Sequence, residues 1–261
     1  MPKTGIASGR MKLARALHHL EDLDRRITRY VAKRPVLTKV VLVKDGTPAD
    51  RDIKFHVVID QLVEVPNGWP LILGDVVTNL RAALDHAVFP IARQFPIVKV
   101  QPINQQTGVP SPIKSLPGHP AATAIIEAAQ PYNDIVSADH HSLGILNELV
   151  NEDKHRNVLI TSGCFLEPHI GIPEDVEVIE EPTTSLYGQE MYVGAVLAKF
   201  ALRPTHAETR KDKVYYDPAP KVTIVLDVPK TPDNREAVPM LREIHAYIST
   251  LLDDLEAAGL P

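Results

Sequence analysis

The stretch Gly74–Gln94, GDVVTNLRAALDHAVFPIARQ, constrains the fold most. Its apolar residues Val76, Val77, Leu80, Ala83, Leu84, Ala87, Val88 and Ile91 recur at spacings of three, four and seven. That is the period of a helix with one side in a core. Asp75 reads as the N-cap, after a turn at Gly74. Pro90 has no N–H for the helical ladder and should end or kink the helix. Arg81, Asp85 and His86 interrupt the pattern. At about 100° per residue, Arg81 and Asp85 share one shoulder of the stripe, and Asn79 and His86 share the other.

A second polar group, Asp153-Lys154-His155-Arg156, ends another amphipathic segment that runs from Asp139 to Asn157. Its stripe is Leu143, Leu146, Leu149 and Val150, and Asp153 falls on that same stripe. A carboxylate facing a core needs a cation or several donors. Arg81 is therefore expected to pair with Asp153 or with its own neighbour Asp85. Ser137 or Asp139 is expected to cap this helix.

Two more helices are expected. One runs from about Gly9 to Lys33, with Leu13, Leu17, Leu20, Leu23, Ile27, Tyr30 and Val31 on its apolar side and Arg25, Arg26 and Arg29 opposite. The last begins at Asp233-Asn234-Arg235-Glu236, a capping-box-like pattern, and buries Val238, Leu241, Ile244, His245, Ile248, Leu251, Leu252 and Leu255. Strands are expected at Val36–Val43, Ile53–Asp60, Val158–Phe165, Val176–Ile179, Met191–Leu202 and Val222–Val228, where β-branched residues concentrate or alternate with polar ones. From Pro96 to Pro131, both included, the chain carries seven prolines and the polar run Asn104-Gln105-Gln106. That span reads as a long loop, a candidate lid, with a short helix near Ala121–Ala129. The expected fold is α+β: a bundle of four main helices with an antiparallel β-sheet built from strands between them. The elements interleave along the chain, so residues 1–261 are expected to form a single integrated domain.

Composition narrows the function. Net charge is −5, so no global basic field draws in nucleic acid, although a local basic pocket stays open. A single cysteine, Cys164, excludes an internal disulfide framework and a Cys-rich zinc site, and it suits a reducing cytoplasm. No run approaches the ~20 apolar residues of a membrane span, and none has signal length, so no membrane association is expected. There is no Gly-rich phosphate loop, GxSxG elbow, HExxH or dinucleotide fingerprint. No cofactor is implied. His140, His141, Asp153 and His155 share one helix, but adjacent histidines point apart and His155 lies about four turns on, so no metal site is expected.

GDVVTNLRAALDH followed by NEDKHRNVLI resembles a group of uncharacterised bacterial and phage-borne proteins with an LRxALDH-like helix and a downstream DKHR-like element. More loosely, Arg81 and His86, with four residues between them, resemble the Arg–spacer–His mark of the HEPN superfamily. Those are helical bundles, often metal-independent ribonucleases. The resemblance implies RNA as substrate and catalysis by Arg81 and His86, with Asn79, Asp85, Asp153, Lys154, His155 and Arg156 in support. Histidine is suited to proton transfer near neutral pH, and Arg to the charge that develops on phosphate. Arg81 and His86 lie about 140° apart around their helix, so the resemblance also implies a homodimer that completes the site. Such enzymes carry a polar residue straight after the Arg, and here it is Ala82. The alternative is a non-enzymatic binding or scaffold protein in which Arg81, Asp153 and His155 form a structural polar network.

Overall fold

A computed structural model describes residues 5–44, 52–106, 108, 111–113, 118–155, 160–171, 176–183, 191–205, 215–226, 228 and 235–261. The fold is α+β. The described helices are α1 (Ile6–Ala32), α2 (Trp69–Val88), α3 (Pro120–Ala128), α4 (Ser142–His155) and α5 (Ala237–Ala257). The strands are β1 (Val36–Lys44), β2 (Ile53–Leu62), β3 (Ile160–Gly171), β4 (Val176–Thr183), β5 (Val196–Pro204), β6 (Tyr215–Leu226) and the short β7 (Arg235–Glu236). The chain divides into two compact units, each assembled from non-contiguous segments. One comprises residues 1–26, 67–160 and 226–261, the other residues 27–66 and 161–225.

The first unit is helical. Within it α2 packs on α4 and α5, α4 packs on α5, and α3 packs on α5. The α2 stripe drives this: Val76, Val77, Leu80, Ala83, Leu84, Ala87 and Val88 are all fully buried. Each large side chain contributes roughly 1.5–3 kcal/mol by leaving water. The facing stripes are Leu143, Ile145, Leu146 and Leu149 on α4, and Leu241, Ile244, Ile248, Leu252 and Leu255 on α5.

The start of α2 differs from expectation. The helix begins at Trp69 rather than near Gly74, with Pro70 in its first turn, where a missing N–H costs nothing. Asp75 is therefore inside the helix and caps nothing; its carbonyl accepts from Asn79 Nδ2 at 2.8 Å. Gly74 is buried because Asp153 occupies its side-chain position: a Cβ there would lie 2.4 Å from Asp153 Oδ1. At the other end α2 stops at Val88, two residues before Pro90, and Ile91 lies beyond it. The α4 helix starts at Ser142, and the Ser137 hydroxyl accepts from Asp139 N–H in the turn before it. The α5 helix begins at Ala237, and Asp233, expected to cap it, lies outside the described residues, as do Arg156 and the side chain of Cys164.

In the second unit, four strands form a sheet of order β1-β2-β5-β4, antiparallel at every pairing. Ile53, Val57 and Ile59 turn inward from β2, and Phe55 stacks on Phe200 across the ladder at 5.0 Å between ring centres. The end of α1 is tied down within this unit by the Tyr30 hydroxyl, which donates to the Val63 carbonyl at 2.5 Å. A further ladder pairs β3 with β6.

Candidate functional site

The motif residues of α2 lie in the helical unit and engage two different places. Arg81 and Asp85, one turn apart, form an ion pair with Nη2–Oδ1 at 3.0 Å and a hydrogen bond from Nε to Oδ2 at 3.2 Å. Both then reach the chain beyond the helix. Arg81 Nη2 donates to the Phe95 carbonyl at 2.8 Å, and Phe95 N–H donates to Asp85 Oδ1 at 2.9 Å. The Phe95 ring is fully buried. The pair is largely shielded, with 18% of the Arg81 side chain and 24% of Asp85 exposed. It supplies partners to two main-chain groups that would otherwise be stranded beside a core side chain.

His86 faces elsewhere. Its Nδ1 lies 2.7 Å from the Ser8 hydroxyl in the first turn of α1. A serine beside a histidine is the start of a nucleophile–base pair. Such a pair needs a third group to orient the imidazole. The adjacent carboxylate, Asp85, is already committed to Arg81 and Phe95. Arg81 and His86 are therefore not brought together within one chain.

Asp153 does not reach Arg81, whose partner is Asp85. It is half-buried, packs over Gly74 and accepts a long hydrogen bond of 3.5 Å from Thr78 Oγ1. Asn79 bonds its own helix backbone, and Lys154 is exposed. His155 is the last residue of α4, and Arg156 lies outside the described residues. Arg81 and Asp153 are thus not paired directly, and the side chain of His155 lies outside the described residues.

Two anchors of the same segment were not singled out from sequence. Gln130, fully buried, accepts from Val98 N–H at 2.9 Å and donates to the carbonyls of Pro96 at 3.1 Å and Ile126 at 2.8 Å. Lys99 Nζ lies 2.6 Å from both Asp139 and Glu148. Burial works against the Lys99 charge, but hydrogen bonds to Asp139 and Glu148 outweigh it and raise its pKa. The segment expected as a lid is therefore pinned near its start, at Pro96, Val98 and Lys99, just after the contacts of Phe95. Only its length and prolines were visible in sequence, not these partners.

No family model, curated protein or solved structure matches the chain. Among the described residues, no three His, Cys, Asp or Glu side chains are placed to hold a metal ion. No described helix is long and apolar enough to cross a membrane.

Proposed function

We propose that this chain is a non-enzymatic binding or scaffold protein of the cytoplasm, in which the α2 motif residues have structural roles. One observation carries the reading: Arg81 and Asp85 pair with each other, and each also holds one main-chain group of Phe95. A guanidinium neutralised in this way offers little net charge to a phosphate. The HEPN-like ribonuclease alternative needs a free Arg81 and a second copy to bring His86 opposite it. Ala82, which follows the arginine, also suits the binding reading.

The test incubates wild-type protein, Arg81→Ala and His86→Ala with mixed RNA. The expected result is no cleavage by any of them. Cleavage by the wild type that falls about 10²–10⁴-fold in His86→Ala would overturn the reading in favour of the nuclease.

A further inference from the structure

Between α3 and α5 lies a cleft of ≈ 350 Å³. Ligand pockets span about 300–1,000 Å³, so this one suits a small molecule. It exists because of residue size. Ala128, the last residue of α3, and Ala129 just after it face Tyr247, Leu251 and Asp254 on α5, and two methyl groups do not fill the space. Tyr247, Leu251 and Asp254 recur at spacings of four and three, so they form one stripe along α5.

The one charged side chain of the lining is negative. The Asp254 carboxylate is exposed and has no ion-pair partner among the described residues. Its neighbours Asp253 and Glu256 are different: both are neutralised by Arg10 at 2.6 Å. The Tyr247 hydroxyl is half-buried and has no hydrogen-bond partner among the described residues. Burial, and then the negative charge of Asp134, raise its pKa. The base packed against the Tyr247 ring is His141, edge to face at 5.0 Å. It is held neutral: Nδ1 accepts the Leu143 N–H at 3.2 Å, and burial lowers its pKa against the opposing pull of Asp134. The lining thus combines an apolar floor, one unpaired carboxylate, one phenol and the Thr250 hydroxyl, which donates to the Ala246 carbonyl of its own helix at 3.3 Å.

We propose that this cleft binds a small organic cation, with its ammonium group on Asp254 and its apolar body between Ala128, Ala129 and Leu251. The proposal rests on the binding reading above and gives it a ligand class.

Phenethylammonium is a suitable probe, with phenylacetate as its anionic and 2-phenylethanol as its neutral counterpart. Each is titrated into the ¹⁵N-labelled full chain. Saturable shifts at Tyr247, Leu251 and Asp254 are expected with the cation, at least ~10-fold tighter than with the anion. Asp254→Asn should weaken the cation about as much without changing the melting temperature, since Asp254 is exposed. Ala128→Leu, also at an exposed position, should fill the cleft and abolish the shifts. Equal affinity for all three probes, no saturable shift, or an Asp254→Asn variant that binds as before would overturn the cleft proposal. RNA cleavage by the wild type bears instead on the binding reading, so the two failures are distinguishable.

Discussion

Arg81 and Asp85, one turn apart on α2, hold the two main-chain polar groups of Phe95: Arg81 takes the carbonyl at 2.8 Å and Asp85 the N–H at 2.9 Å. Because they also hold each other, the three residues form a closed ring of charge-assisted bonds. Such bonds are roughly twice as strong as neutral ones, and this ring fixes where the chain goes after the helix.

The ring should make the two side chains interdependent. A double-mutant cycle on Arg81→Ala and Asp85→Ala, read by urea unfolding, is expected to show coupling of about 1–3 kcal/mol. Additive losses would mean that each side chain acts alone.

Gln130 should matter more than a polar residue usually does. Gln130→Leu keeps the volume but strands the Val98 N–H and the Pro96 and Ile126 carbonyls. Each stranded buried group costs about 1–3 kcal/mol. The expected total is at least ~3 kcal/mol, and the faster amide exchange should centre on Val98. A loss under ~1 kcal/mol would show that water replaces the amide.

Gly74 and Gly144 should respond differently to an added methyl group. At Gly144 the new Cβ would meet the Ala138 main-chain oxygen at 2.0 Å. Only a shift of backbone relieves that clash, so Gly144→Ala should lose about 2–3 kcal/mol. At Gly74 the obstacle is the Asp153 carboxylate at 2.4 Å, which can swing away. Gly74→Ala should cost about 1 kcal/mol, and adding Asp153→Ala should recover most of it. Equal losses at the two glycines would contradict this ordering.

The course of α2 was legible where periodicity governs. Val76, Val77, Leu80, Ala83, Leu84, Ala87 and Val88 were expected in the core and are there, because one face of a helix must repeat with its turn. The α+β class followed from the same patterns together with the β-branched runs. The start of α2 differs from the sequence pattern because Gly74 looks like a turn residue, when its missing side chain serves a contact with Asp153, 79 positions later in the sequence. The Phe95 clamp was invisible for a related reason. One of its acceptors and one of its donors are main-chain groups of Phe95, which every residue has, so no residue type marks them. Half of the Arg81 reading was accessible: an i,i+4 pair with Asp85 is local, whereas the choice between Asp85 and Asp153 depends on tertiary structure.

Acid should weaken the helical unit through two histidines. Burial lowers the pKa of His141, against the opposing pull of Asp134. Burial also lowers that of His245, where a hydrogen bond to the Leu13 backbone opposes it and Arg242 reinforces it. A depressed histidine pKa means that the unfolded chain takes up protons first. The stability is then intact above the unfolded value of about 6.5 and is lost as pH falls through it. The melting temperature should drop between pH 7.5 and 5.5, and His141→Gln should flatten part of that slope. A melting temperature that rises on acidification would reverse the assignment.

The melting temperature of Arg81→Ala reads the strength of the Arg81–Asp85–Phe95 clamp. The substitution leaves Asp85 without its cation and the Phe95 carbonyl without its donor. The expected loss is about 2–3 kcal/mol, which for a chain of this size lowers the melting temperature by roughly 5–10 °C. An Arg81→Ala protein that melts with the wild type would contradict the clamp and return Arg81 to the pool of candidate catalytic residues.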